Sequence, residues 1–547
     1  MTLEKFIPTI KHAKNSLFCY KNQADNSNTR LFTPYMKYVI FLSVTDTDSR
    51  ARVFTGISTS IEYAYKNAER KCLLYINKND LHPKWAKVDL AINMELLSKR
   101  EFMRLYSSQT PLRKGVALDS HFNLAFLEQE FEANDLIQNG SFSMRNINIY
   151  LKMYRNARFP IIESYIREIV LFDTVSYFCD EQNYYPLHSN SFDHGRRVIN
   201  DVNKALIYDI IDQSSSYLAK QIKPNGKFVY GYYSHFHEKI EVYSIHHHAR
   251  TIYSMIDAFC LTKRKELELP IKRGGLAFYF QKSISLINHP AHKVVVQYIA
   301  GKKNKPSVNL GGAMGATIIV IIKYTKAFQD DRYLPIAKSI GDTLLSLQNQ
   351  SSYSDGIHSY YNWEALLSLL YLYELDNDIK WLNSVTIALD YSIENGDWKN
   401  IDNWLIHTVN QLTKYKPEDK YFKFGLRNAE FQLDFIQKLH VSSPAVLEAL
   451  LVTTNIIENI QYLQKSYLLV NYPLYELNKT IQYHIKHQLN EYFFPEVSMY
   501  MKFPKLVNGT FFNRENSFRS RIDEIRDYVS SYYHYYQKIS QPKKVYS

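Results

Sequence analysis

Two carboxylates, a histidine run and an arginine step are the residues here whose types and spacing can do chemistry. Asp355-Gly356 reads as a loop, and Glu364 falls in the first turn of the helix that follows. Two such carboxyl groups can meet at one opening. Glycoside hydrolysis needs a pair about 5–10 Å apart, one as acid and one as base or nucleophile. The same residues also read as a turn Asp and a first-turn Glu favoured by the helix dipole. His246-His247-His248 opens another helix, with Tyr243 just before it. A histidine at a helix start that faces a cleft can act as acid or base near neutral pH. Successive helical side chains diverge by about 100°, so the triplet alone makes no metal site, and neither metal nor cofactor is expected. Asp402 is a competent helix cap, and Trp404 can be a sugar platform or core. In Arg521-Ile522-Asp523, the guanidinium can hold a carboxylate or phosphate while Asp523 orients it. Tyr230 and Tyr361 add aromatic faces beside these groups.

Helices must position most of these residues. From about residue 200, apolar periods of helix length follow one another, about a dozen between Val202 and Gln537. Examples run over 313–328, 334–347, 363–374, 379–393, 404–413, 422–439 and 522–536. Tyr324 to Asp331 and Tyr371 to Asp378 follow one plan, a Tyr-rich helix end leading into acidic and amide residues. That is a degenerate repeat with a period of about 50 residues, the mark of helix pairs that bury their faces against neighbouring pairs. Six pairs can close into an (α/α)6 toroid, and an open solenoid is the competing geometry. The turn at Asn508-Gly509 ahead of a final helix favours closure.

The first 150 residues differ. Runs 38–44 and 51–57 flank a polar turn and read as a hairpin, and Ser58-Thr59-Ser60 caps a helix with Ala64, Ala68, Cys72 and Leu73 on one side. Runs 85–90 and 115–119 read as further strands, before a helix around 124–131. The expected layout is a small α+β domain over 1–150, helical linking structure over 151–200 and a toroid domain over 201–547.

The segment Asn225-Gly226-Lys227-Phe228-Val229-Tyr230, followed by Tyr243 and the histidines, resembles six-hairpin (α/α)6-toroid carbohydrate-active enzymes. These often show an NGxFxY turn, then a Tyr and a basic or His cluster at the head of the next helix. The resemblance covers roughly residues 200–540 and selects no single family. His248 best matches the family histidine, while Arg250 stands where a small residue is more usual. It implies a carbohydrate-active enzyme, with Asp355, Glu364, His248 and Tyr243 as catalytic candidates. Arg521, Asp523, Asp402, Trp404, Tyr230 and Tyr361 are the substrate-binding candidates.

Composition narrows the partner. Hydrophobic residues make up 46% of the 547, enough for a large core, and 45 Tyr supply many polar-tipped rings. The net charge of +12 is scattered and accompanies no nucleic-acid-binding motif, so an oligosaccharide or polysaccharide is expected, not nucleic acid. The charge and the tyrosines favour an acidic sugar. Four isolated cysteines fit a reducing compartment, and Met1 to Lys5 start no signal peptide, so a cytoplasmic, bacterial setting is expected. Glycoside hydrolysis by paired carboxylates leads. Uronate epimerisation or elimination, with Tyr or His as base and Arg neutralising the carboxylate, is the second reading. A non-catalytic helical-repeat binder in a surface-polysaccharide system is the third.

Overall fold

A computed structural model describes residues 2–26, 37–108, 112–155, 157–189, 192–275, 310–350, 363–438 and 443–540. The chain forms two compact units. The first comprises Met1–Asp201, Tyr232–Lys239 and Asn490–Ser520, and the second comprises Val202–Gly231, Ile240–Leu489 and Arg521–Ser547.

The first unit is built on an antiparallel sheet. Its strands are β1 (Tyr38–Thr45), β2 (Arg52–Ser58), β3 (Trp85–Ser98), β4 (Gly115–Ala117), β5 (Ala125–Phe126), β6 (Glu168–Cys179) and β7 (Tyr184–Pro186). Their order is β2-β1-β3-β6-β4-β5, with β7 also paired to β6. The expected hairpin is β1 against β2, Tyr38 facing Ser58. Helices α1 (Ile10–Asn26) and α2 (Ile61–Asn79) cover one face, burying Leu17, Ala64, Ala68 and Cys72 against Ile40, Leu42, Val88 and Leu90. Gly56 sits where β2 meets α2, and a Cβ there would lie 2.0 Å from the Ala64 carbonyl oxygen. The opposite face of the sheet, with Val39, Phe41 and Phe172, packs on Phe493, Met499, Met501 and Phe512. Burial on both faces is why Val39 to Val44 is an unbroken buried run rather than an alternating one.

Two expectations are corrected here. Residues 151–200 are not helical linking structure. They carry β6, a central strand whose Ile169, Val170, Leu171 and Phe172 are buried. The first unit also extends beyond residue 150 and recruits Asn490–Ser520 from far along the chain, because one sheet face would otherwise lie bare.

The second unit is twelve helices among its described residues. They are α3 (Lys204–Lys220), α4 (Ile245–Thr262), α5 (Lys265–Lys272), α6 (Leu310–Phe328), α7 (Leu334–Gln350), α8 (Trp363–Asp376), α9 (Ile379–Glu394), α10 (Asn403–Leu412), α11 (Asp419–Lys438), α12 (Pro444–Tyr462), α13 (Leu474–His487) and α14 (Ile522–Ser540). The even-numbered helices pack in a cycle: α4 on α6, α6 on α8, α8 on α10, α10 on α12, α12 on α14, and α14 back on α4. The odd-numbered helices lie outside them. For example, α7 rests on α6 and α8, and α11 rests on α10 and α12. This is a closed (α/α)6 ring, not an open solenoid.

Sequence explains which helix goes where. Inner α8 is buried at every position from Trp363 to Leu370, so it is apolar on all sides except at Glu364 and Ser368. Outer α11 buries one side through Tyr421, Phe422 and Phe424 and leaves Lys423 and Glu430 outside. The repeat seen at 324–331 and 371–378 ends inner helices in the same way. Gln329 (φ 55°) and Asn377 (φ 56°) adopt the left-handed conformation and donate back to Thr325 and Tyr373. No described helix is long and apolar enough to cross a membrane.

Candidate active site at the helix heads of the ring

Inner helices alternate with outer ones, so their N-terminal ends gather at one end of the ring. Those ends expose backbone N–H groups and positive dipole ends, a setting that attracts carboxylates. Glu364 opens α8 and is fully buried. The guanidinium of Arg250 on α4 grips it with two parallel bonds, Nε–Oε1 2.7 Å and Nη2–Oε2 2.5 Å. His246 donates from Nε2 to Oε2 at 2.9 Å. Burial alone would raise the Glu364 carboxyl, but Arg250 and His246 hold it down at about 2. Glu364 is therefore an ionised anchor. Gly315 on α6 makes this possible, since a Cβ there would lie 2.7 Å from the Glu364 carbonyl oxygen. Arg250, unexpected at its position, proves to be the anchor's main partner.

The head of α14 lies beside this anchor. Ile522 donates its N–H to the Tyr230 carbonyl at 3.0 Å, and Ser254 on α4 donates to the Arg526 carbonyl at 3.3 Å. Arg521 pairs with Asp523 through Nε–Oδ1 at 2.9 Å and through Nη2. His247 Nδ1 lies 3.3 Å from Asp523 and 2.6 Å from the Tyr230 hydroxyl. Burial opposes ionisation of Asp523, but Arg521 and His247 keep its carboxyl below the usual range. Burial and the nearby Arg526 push His247 down to about 4, so it is neutral at pH 7. Burial raises the Tyr230 phenol, and the Asp523 charge adds to this.

One helical turn beyond Asp523 on the same face stands Asp527. Burial raises its carboxyl to about 6 against the opposing pull of Arg526 and Arg250. Its side chain nevertheless keeps 38% of its surface open to solvent. Asp527 is thus half-buried, not sealed in the core. Arg526, between them, is buried with Nη1 lacking any hydrogen-bond partner, and burial lowers its affinity for its proton.

Asp402 caps α10, accepting the Trp404 N–H at 3.0 Å, and burial raises its carboxyl. The Trp404 ring carries the Arg250 guanidinium 4.9 Å from its centre. The structure thus brings together Glu364, Asp402, Trp404, Tyr230, Arg521 and Asp523 from the sequence candidates. It turns His248 into the core instead, with the half-buried Tyr243 bound to it. His248 is fully buried, donates from Nε2 to the Gly274 carbonyl at 2.9 Å, and has Nδ1 2.6 Å from the Tyr243 hydroxyl. Both ring nitrogens are taken, and burial drives the imidazole down to about 4. Asp355 and Tyr361 lie outside the described residues.

Sequence reading missed Arg250, Arg526 and Asp527. The available signal was the spacing of Asp523 and Asp527, four apart on a helix and so on one face. It also missed a buried ionic cluster in the first unit. Glu128 there takes His194, Arg514 (3.0 Å) and Arg113 (3.3 Å), and Arg514 reaches Glu132 at 2.8 Å. Lys87 and Asp89 form a fully buried pair at 2.8 Å nearby in sequence. These charges largely offset one another, as buried charges must.

No family model matches the sequence, and no curated protein matches it. Among solved structures, the chain is similar to the GH76A alpha-1,6-mannanase of Salegentibacter sp. HEL1_6, with 12% identity, 61% of this chain and 98% of that one covered, and a TM-score of 0.40. An inactive variant of that enzyme in complex with alpha-1,6-mannotetrose matches at 13% identity and a TM-score of 0.41, covering 60% of this chain and 99% of that one. A family 76 glycoside hydrolase from a bovine Bacteroides thetaiotaomicron strain matches at 9% identity and 0.29, covering 84% of this chain and 97% of that one. Likeness this remote carries no substrate and no residue role to this chain. The ring is evident from its own helix packing.

Proposed function

We propose that this protein is a carbohydrate-active enzyme that hydrolyses a glycosidic bond in an acidic saccharide at the helix heads of its ring. The observation that carries the reading is the Asp523/Asp527 pair. The two carboxyls share one face of α14, at about 5–6 Å between Cβ atoms for this spacing. Their surroundings push them apart, Asp523 held ionised by Arg521, Asp527 lifted to about 6 by burial. Such a split marks an acid and a base. Asp527, protonated over part of the neutral range and reached by water, gives its proton to the leaving oxygen. Asp523 activates the water or stabilises the positive charge that develops on the sugar ring. Arg526, buried with an unpartnered donor, supplies the partner for an acidic group on the sugar. Glu364 keeps Arg250 and His246 in place.

The Tyr230–His247 contact favours the second reading, proton abstraction beside a uronate carboxyl. Burial and Asp523 disfavour the phenolate that this chemistry needs, so it ranks below hydrolysis. The test is turnover of neutral and uronate-containing oligosaccharides, with products read by mass. One water gained per cleavage is the expected result. Unchanged mass with deuterium taken up from solvent would mean epimerisation, and no turnover of any saccharide would leave the binder reading.

A further inference from the structure

Deeper in the ring, three inner helices contribute a second group of side chains that the proposed hydrolysis does not use. His407 lies on α10, Glu448 on α12 and His534 on α14. His407 Nε2 stands 2.9 Å from Glu448 Oε1, and His534 Nε2 stands 3.4 Å from the same oxygen. The three donor atoms all lie within 4.8 Å of one another. The two imidazole rings meet edge-on, with centres 5.3 Å apart.

We propose that His407, Glu448 and His534 form a binding site for a first-row divalent metal ion, with zinc the best fit. Zinc holds imidazole nitrogens and carboxylate oxygens at about 2.0–2.2 Å, which puts tetrahedral ligand atoms about 3.3 Å from one another. The observed separations already bracket that figure. Two imidazoles and one carboxylate, with one position left for water or substrate, is the donor set of open zinc centres and not of closed structural ones.

A plain hydrogen-bond network explains the group less well. Glu448 can accept from His407, but His534 Nε2 is buried and has no hydrogen-bond partner. A buried imidazole nitrogen that stands 3.4 Å from a carboxylate oxygen without the geometry of a hydrogen bond is what a bridging cation would satisfy. The nearby positive charge is accounted for. Lys323, whose field reaches His407, is bound to both oxygens of Asp257 at 2.5 and 2.6 Å. The three ligands come from rigid, mutually packed helices, so the site needs no folding on arrival of the ion. The Trp404 ring, 5.4 Å from that of His407, links this site to the helix heads.

The full chain, stripped with chelator and dialysed, is titrated with Zn2+ and Co2+ by calorimetry, and Co2+ is also followed by visible absorption. The expected result is one ion per chain and the visible bands of tetrahedral or five-coordinate cobalt. His534→Ala and Glu448→Gln should each weaken binding at least about tenfold, since each removes a ligand. Asp527→Asn should bind metal like the parent, because it belongs to the other site. Circular dichroism checks each variant's fold, and His534→Ala, the least buried ligand, serves if Glu448→Gln fails to fold. Absence of saturable binding near one equivalent, or equal affinity in His534→Ala, would overturn the proposal.

Discussion

In the proposed hydrolysis, Asp527 is the residue on which the chemistry turns. Its carboxyl is raised to about 6, so the acid form is present below that pH and lost as pH rises through it. The rate should therefore fall as pH climbs above about 6, and a pH profile of kcat/KM reads this directly. Asp527→Asn should lower kcat by about 10²–10⁴-fold, the usual worth of a positioned proton donor. Glu364 behaves in the opposite way. Its folded-state value of about 2 lies below the ordinary carboxylate range, so it adds stability above that range and loses it as pH falls towards 2. Glu364→Gln leaves Arg250 buried without its charge partner and should cost about 3–5 kcal/mol in denaturant unfolding. A kcat loss in Glu364→Gln with unchanged stability would instead make Glu364 catalytic. Arg526 Nε lies 3.2 Å from Asp527, so substitution by Gln should disturb all substrates but raise KM for acidic oligosaccharides more than for neutral ones.

At the scale of elements, the close approach of α6 to the head of α8 fixes the anchor. Gly315→Val places a branched side chain where even a Cβ lies 2.7 Å from the Glu364 carbonyl oxygen and 2.8 Å from Ala365. Inner helices pressed apart here should cost about 1–3 kcal/mol or more, measured as a lower thermal midpoint. This is also where sequence reading worked best. The bounds of α8, α9 and α10 fall within two residues of expectation, because apolar periods and caps such as Asp378 and Asp402 are local signals. Glu364 was legible as a first-turn carboxylate. Its partners were not, since Arg250 and His246 lie more than a hundred residues away and only ring closure brings them near. His248 shows the reverse error. Its place in a motif says nothing of which way one member of a helical run faces, and its ring points to Gly274. Asp527 sits in the charged stretch Asp523-Glu524-Ile525-Arg526-Asp527, which reads as a solvated helix face until the structure shows Asp527 half-buried, 3.2 Å from Arg526.

At the scale of the molecule, the two units differ in what a sequence can show. The ring is a chain of near-neighbour pairings, so its period was visible and only its closure, α14 on α4, needed the structure. The first unit depends on a distant return. Phe493, Met499, Met501 and Phe512 fill a sheet face that begins at Val39, and no local pattern announces such a pairing. A fragment of residues 1–201 should therefore fail to give a cooperative unfolding transition and should bind a hydrophobic dye. A fragment that unfolds as sharply as the full chain would show that this unit does not need its late segment.

The most direct measurement is cleavage of a uronate-containing oligosaccharide in water enriched in heavy oxygen, by the parent chain and by Asp527→Asn, with products read by mass. The account predicts one heavy oxygen in each new reducing end from the parent chain. It predicts a product rate at least about a hundredfold lower from Asp527→Asn, with its fold unchanged. Equal rates from the two proteins, or product free of heavy oxygen, would contradict it.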